Sequence, residues 1–242
     1  MKRVAIIQSN YIPWKGYFDF INMVDEFILY DDMQYTRRDW RNRNYIKTPR
    51  GLEWLTIPVE VKGKYFQKIR ETSISDPTWA KTHWATLMHN YGKALHFRTY
   101  RTLFEDLYLT CHEPMLSRVN FRFIEAVCSL LGIRTKISWS MEYRLLEGKT
   151  ERLIGLCKSA GATHYLSGPS ARDYLEETLF AKEGIELSFM DYSGYPPYRQ
   201  LHGPFEHGVT ILDLLFNEGP DAPRYMKSVG EMTARHPDST TE

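Results

Sequence analysis

Gln8, Asn10, Tyr11, Trp14, Lys15 and Tyr17 crowd into the single stretch Gln8–Ser9–Asn10–Tyr11–Ile12–Pro13–Trp14–Lys15–Gly16–Tyr17. Amides, ring faces and an amine at that density can hold hydroxyls, a flat or sugar ring, and an anion. A strand-to-helix loop with its own Pro and Gly can also aim backbone N–H groups, and the positive end of the next helix, at a phosphate or carboxylate. The plain alternative is a β–α turn that Trp14 anchors in the core.

Two further groups follow. Asp31–Asp32 could hold Mg²⁺, serve as a general base, or pair with downstream arginines. The stretch from Gln34 to Gly51 carries Arg37, Arg38, Arg41, Arg43, Lys47 and Arg50 against one Asp39. Guanidinium forks match carboxylate and phosphate, so Arg38, Arg41 and Arg43 with Asn42 could surround one anion. A solvated charged face is the ordinary reading of such a run, but Trp40 and Tyr45 interleave with the bases, and a purely solvated face has little use for them. Ser167–Gly168–Pro169–Ser170 is another strand-to-helix joint with hydroxyls and N–H groups for an anion, or an N-cap at Ser170. A Pro/Tyr loop, Tyr192 to Gln200, adds Tyr198 and Gln200.

The elements that must carry these groups can be read from periodicity. Val4–Ile7 is a buried strand, Gly16–Val24 a short helix, and Glu26–Tyr30 a second strand, so Gln8–Asn10 and Asp31–Asp32 are expected along one carboxyl edge. Gln34–Gly51 reads as a basic loop. Trp54–Val61 and Gln67–Ile69 read as two strands of an excursion, Pro77–Met88 and Thr102–Leu109 as helices, and Met115–Leu131 as the longest amphipathic helix, stopped at Gly132. The pattern then alternates: strand Thr135–Trp139, helix Thr150–Ser159, strand His164–Leu166, helix Ala171–Phe180, strand Glu186–Met190, and later a helix at Thr210–Phe216. The fold class expected is α/β, a mainly parallel sheet flanked by helices in a Rossmann-like or nucleotidylyl-transferase-like layout, with an inserted β excursion near 52–70. One domain is expected over 1–219, with a polar tail over 220–242.

Composition narrows the function classes. Hydrophobic residues are 43% and charged residues 25% of 242, ordinary for a globular chain, while aromatics reach 14%. A net charge of +1 argues against nucleic-acid binding driven by bulk electrostatics. The apolar run at the start is too short for a signal peptide, and nowhere do 18 apolar residues run together, so a cytoplasmic protein without membrane insertion is expected. Cys111, Cys128 and Cys157 fit buried thiols. There is no dinucleotide fingerprint, no phosphate-cradling loop ending in Gly-Lys-Ser/Thr, no nucleophile elbow and no His-Glu-x-x-His, which disfavours hydride transfer, P-loop kinases and zinc hydrolases; no metal ligands are assigned.

At these residues the sequence resembles the WbqC-like family, bacterial proteins found chiefly in gene clusters for O-antigen and other surface polysaccharides. The resemblance rests on Val4 to Asp19, Tyr30 to Lys47, Trp54 to Val59, Gly161 to Tyr174, Gly184–Ile185 and Ile211 to Gly219. Ser9 stands where the family commonly has Pro after Gln. The resemblance implies a transferase that attaches a glycine-like aminoacyl or an acyl group to a nucleotide-linked amino sugar. Arginines would hold the diphosphate, Tyr and Trp the ring faces, and Gln8 and Asn10 hydroxyls or an amide. Its partners would be a sugar nucleotide or activated amino acid, with nucleic acid involved only if aminoacyl-tRNA is the donor, and possible contact with other polysaccharide-synthesis enzymes.

A weaker likeness is to nucleotidylyl transferases and pantothenate-synthetase-type ligases, whose His-x-Gly-His stands where Trp14–Lys15–Gly16–Tyr17 stand here. It implies ATP with Mg²⁺ as cofactor, and Lys15 taking over part of the histidines' electrostatic role. The expected site therefore has Asp31, Asp32 and Lys15 as catalytic groups. Its substrate-binding residues are Gln8, Asn10, Tyr11, Trp14, Tyr17, Gln34, Arg38, Arg41, Asn42, Arg43, Lys47, Ser167, Gly168, Tyr198 and Gln200. A third alternative is a non-catalytic sugar-nucleotide-binding protein.

Overall fold

The computed structural model describes residues 1–229. Its centre is a parallel sheet of five strands: β1 (Arg3–Ile7), β2 (Glu26–Leu29), β5 (Lys136–Trp139), β6 (His164–Ser167) and β7 (Glu186–Phe189), in the order β5-β2-β1-β6-β7. Alternate residues of the strands feed opposite faces. Ala5, Phe27 and Leu29 enter one core, while Val4, Ile6 and Ile28 enter the other, as a period of two requires. Burial on both faces explains why β1 and β2 read as continuous apolar runs.

The second face is covered by α5 (Thr150–Ser159) and α6 (Glu177–Lys182), whose Leu153, Ile154, Leu156 and Phe180 are buried there. The first is covered by α1 (Lys15–Asn22), α4 (Leu116–Leu130) and α7 (Ile211–Glu218). Between β2 and β5 the chain inserts an antiparallel hairpin, β3 (Arg43–Thr48) with β4 (Gly51–Thr56), then α2 (Trp79–Tyr91) and α3 (Phe97–Leu109). Most of the unusual aromatic content fills this side: Trp84 stacks on Phe97 and Tyr108, and Phe216 of α7 meets Tyr91, Phe97 and Phe104.

With the hairpin set aside, the five strands run 3-2-1-4-5, the order of the first five strands of a dinucleotide-binding sheet. The chain steps outward from β1 through β2 to β5, then returns to β6 on the other side of β1. The carboxyl ends of β1 and β6 therefore flank the point where the winding reverses, which is where such sheets open a crevice.

The structure departs from the sequence-based expectation in four places. Half of the expected basic loop is β3, because Arg43, Tyr45 and Lys47 pair across the hairpin with Thr56, Trp54 and Leu52. The second expected excursion strand, at Gln67–Ile69, is replaced by one bridge from Lys68 to Gln34 and a single helical turn at Ile69–Glu71. The expected helix at Ala171–Phe180 begins as a single turn at Pro169–Ala171 and becomes α-helical only at Glu177. Gly219–Tyr225, which spans the boundary expected between domain and tail at 219/220, is a 3-10 helix that buries Ala222, with Met226 and Ser228 buried after it; residues 230–242 of that tail lie outside the described residues.

Candidate functional site

The loop leaving β1 is tied down at nearly every residue. Ser9 donates its backbone N–H and its hydroxyl to the Asp31 carboxylate at 2.8 and 2.7 Å. Tyr11 N–H donates to the carbonyl of Trp40 at 3.1 Å, and the Asn44 amide donates to the carbonyls of Tyr11 and Ile12, each at 3.1 Å. Ile12 has φ +36°, a left-handed conformation that a β-branched residue adopts only when its surroundings enforce it. The Asn44 amide grips the carbonyls on either side of that φ angle. From the other side, the first N–H groups of α7 reach the same place: Ile211 donates to the carbonyl of Pro13 and Thr210 to that of Tyr45, both at 2.9 Å.

These ties assemble a cleft of about 320 Å³ between Asn10, Pro13 and Trp14 of the first loop, Trp40 and Asn44 of the basic segment and β3, and His207–Gly208 just before α7. Its volume lies at the small end of the range for small-molecule sites, about 300–1,000 Å³. Trp14 is wedged between Tyr192 and Tyr195 with ring centroids 5.2 and 5.5 Å away. Its indole also lies over Gly16, where a Cβ would come within 2.3 Å of a ring carbon. Trp40 leans on Tyr45 and Trp54. Arg41 donates to the Asn10 amide oxygen and lies 3.6 Å from Asp39, so the Asn10 side chain is held at the cleft edge beside a half-compensated cation.

Two titratable groups lie at or beside the cleft: His207 in its lining and Lys15 near enough to act on it electrostatically. Lys15 Nζ donates to the carbonyl of Pro196 at 2.9 Å and sits 5.1 and 5.0 Å from the ring centres of Tyr195 and Tyr198. It has no ion-pair partner among the described residues, and burial pushes its pKa down to about 8, against a smaller upward pull from Asp19. His207 packs edge-on against Phe205 at 4.5 Å, and its Nδ1 is buried without a hydrogen-bond partner. Burial and then the nearby Lys15 cation lower its pKa, so the ring is neutral at pH 7.

The structure sorts the residues expected from sequence into three groups. Asn10 and Trp14 line the cleft, with Arg41 directly behind Asn10 and Lys15 following Trp14. Lys47, Tyr198 and Gln200 form a second network under the strap of residues 190–210. Lys47 Nζ bonds Gln200 Oε1 at 2.9 Å and the carbonyl of Pro204, and Gln200 and Tyr198 both donate to buried Asp213 at 2.8 Å. Tyr91 donates to the other Asp213 oxygen at 3.0 Å. This network holds the strap that carries His207.

The remaining residues face elsewhere. Tyr11 is fully buried, its hydroxyl 2.9 Å from His83 Nδ1 and 2.8 Å from the Tyr108 hydroxyl, which leaves it no ligand to meet. Tyr17 is buried and spends its hydroxyl on the Gln8 carbonyl at 3.0 Å. Asp31 is buried beneath Ser9, and Asp32 pairs with Lys68 and Arg70 at 3.3 and 2.8 Å while accepting from Ser140 at 2.9 Å, so the pair is a structural junction outside the cleft. The ion-pair alternative holds for Asp32, with partners further along the chain than the arginines first considered.

Arg43 lays its guanidinium over Trp54 at 3.8 Å and donates to the Arg38 carbonyl. Tyr45 stacks on the same indole at 3.6 Å, so both its faces are taken, and Arg43 braces the hairpin instead of clamping an anion. Asn42 is buried on the Ile57 carbonyl at 2.8 Å. Arg38 is exposed at φ +58°, and Gln34 bonds the Tyr65 carbonyl at 2.8 Å. Gln8, Ser167 and Gly168 stand at the carboxyl ends of β1 and β6, where Ser167 donates to the Tyr165 hydroxyl at 3.3 Å and the Gln8 amide makes no hydrogen bond among the described residues.

Trp40, Asn44 and His207, with Pro13 and Gly208, are the cleft residues that sequence reasoning missed. Trp40 stands among the bases with no motif of its own, Asn44 falls in a stretch that reads as a loop, and His207, one of eight scattered histidines, has no local motif around it.

The sequence profile of the WbqC-like protein family matches residues 8–225, from the start of the cleft loop to the end of the 3-10 helix after α7. The chain belongs to that family. A relative of this WbqC-like protein in Mycobacterium tuberculosis (strain ATCC 25618 / H37Rv), "Uncharacterized protein Rv1507c", is 56% identical over 227 residues, covering 94% of this chain and 98% of the relative. No solved structure matches. Every segment that builds the cleft of the WbqC-like chain lies inside the matched range.

Proposed function

We propose that this WbqC-like protein is a transferase of surface-polysaccharide synthesis that attaches a glycine-like aminoacyl or an acyl group to an amino sugar carried on a nucleotide, and that the groups meet in the cleft between Trp14, Trp40 and His207. The observation that carries the reading is the coincidence there of two indoles, two amides and a neutral imidazole. Indole faces suit a sugar ring, Asn10 and Asn44 suit its hydroxyl or amide groups, and a neutral histidine can take a proton. The cleft volume suits one ring and its substituent, with the nucleotide extending outside.

In this reading the sugar's amine nitrogen attacks the donor's carbonyl carbon, the bond from that carbon to the leaving group breaks, and His207 takes the proton the nitrogen sheds. Lys15 and Arg41 keep the surroundings positive where oxyanion charge develops. The proton-accepting role passes from Asp31 and Asp32 to His207. In this reading the reaction runs in the cytoplasm, and it asks for no membrane span; among the described residues no helix is long and apolar enough to cross a membrane. Incubating the purified protein with nucleotide amino sugars and candidate aminoacyl and acyl donors is expected to add the donor's mass to one acceptor. No addition across a broad panel would defeat the reading.

The 3-2-1-4-5 strand order favours a second reading, ATP-dependent adenylation followed by ligation. It requires release of pyrophosphate that depends on ATP and Mg²⁺, whereas direct transfer from an activated donor releases none.

A further inference from the structure

Away from the cleft, Tyr65 and Phe66 are 74% and 83% exposed, and apart from Met1 no large apolar side chain among the described residues is more exposed than Phe66. They sit on a loop that is firmly built. Lys64 N–H donates to the Val61 carbonyl and Gln67 N–H to that of Lys64, both at 3.3 Å, around Gly63 at φ +73°. Side chains close it from three sides: Gln34 donates to the Tyr65 carbonyl at 2.8 Å, Gln67 to that of Glu60 at 2.7 Å, and Arg37 to that of Val61 at 2.9 Å. The two rings meet only edge to face, 4.9 Å apart. A loop held this tightly displays its rings; it does not leave them out through slackness.

The surrounding charge is positive. Residues 60–71 hold Lys62, Lys64, Lys68 and Arg70 against Glu60 and Glu71; Lys64 pairs with Glu60, and Lys68 and Arg70 with Asp32, so the uncompensated positive charge is that of Lys62 and of exposed Arg37. Lys62 has no ion-pair partner among the described residues.

We propose that this loop docks the protein on an anionic lipid surface, Tyr65 and Phe66 entering to headgroup depth and Lys62 and Arg37 meeting lipid phosphates, with no segment crossing the bilayer. Exposed aromatic tips beside unpaired cations are what an interfacial anchor needs. A protein partner would ask for something different: a stable interface buries about 800 Å² on each side, and two rings on a protruding turn present no such face. A bilayer yields to a protrusion.

The full-length protein would be pelleted with vesicles of phosphatidylcholine alone and of phosphatidylcholine with phosphatidylglycerol. Expected is binding to the anionic vesicles only, weakened by salt, with Phe66→Ser and Tyr65→Ser each lowering the partition coefficient about tenfold. The variants should keep the wild-type circular dichroism, since the rings contact little else. The proposal is overturned if neither vesicle binds, if both variants bind like wild type, or if Phe66→Ser instead abolishes a concentration-dependent dimer seen by sedimentation.

Discussion

Ser9 and Asp31 are joined by two hydrogen bonds, backbone N–H and hydroxyl to opposite carboxylate oxygens, at 2.8 and 2.7 Å. They lock the loop after β1 to the end of β2, so the first wall of the cleft inherits its position from the sheet. Burial nonetheless outweighs both bonds and the Arg41 charge, raising the Asp31 pKa from 3.8 to about 6. A folded-state pKa above the unfolded value means stability that is fully present below about pH 4 and is lost as pH rises through about 6. Asp31→Asn removes that dependence. Urea unfolding should therefore find the wild type's advantage over the variant larger at pH 4 than at pH 7, by up to about 3 kcal/mol; equal differences at the two pH values would contradict the buried setting.

His207→Gln keeps a polar side chain of similar reach while removing the proton acceptor. If the cleft carries the transfer, kcat should fall about 10²- to 10⁴-fold with little change in ligand affinity. Calorimetric affinity beside single-turnover rates separates the two effects, and a variant that turns over normally would remove His207 from the chemistry.

Gly16 exists to let Trp14 lie down. The alanine methyl of Gly16→Ala would fall within 2.3 Å of the indole, so the ring must swing out, costing about 1–3 kcal/mol of stability and loosening the cleft. Trp14 fluorescence and ligand affinity should both change; unchanged affinity would show that Trp14 holds no ligand.

Lys15 bears a cost of burial that the Asp19 carboxylate only partly offsets. Its folded-state pKa lies near 8, below the unfolded 10.5, so it weakens the fold wherever it must be charged, fully so below about pH 8, and the deficit vanishes above about pH 10.5. Lys15→Met should hold or raise the melting temperature at pH 7, gain less at pH 10 and, if the cleft carries the proposed transfer, lose catalysis. A lower melting temperature at pH 7 would mean that the bond to Pro196 outweighs desolvation.

Tyr11→Phe tests the opposite assignment. The hydroxyl bridges His83 and Tyr108 in the core, and the same burial holds His83 near a pKa of 4. Stability should drop by about 1–2 kcal/mol, with ligand affinity untouched.

The parallel sheet, its β–α alternation and the closeness of Gln8–Asn10 to Asp31 were legible in the sequence, because strand burial and helix periodicity are written into successive residues. Val4–Ile7 and Glu26–Leu29 declare themselves by composition alone, and the first loop's Pro13, Trp14 and Gly16 mark a joint that needs special geometry. What each polar group does there depended on contacts distant in sequence. Arg43 reads as an anion clamp until Trp54 is found beneath it, and Asp32 as a general base until Lys68 and Arg70 arrive. His207 is a lone histidine until α7 docks its first N–H groups on Tyr45 and Pro13 and carries it to the cleft. Periodicity is a local property of the chain, whereas desolvation and pairing are decided by whichever segments close over a group, and for this cleft those come from three separate parts of the chain.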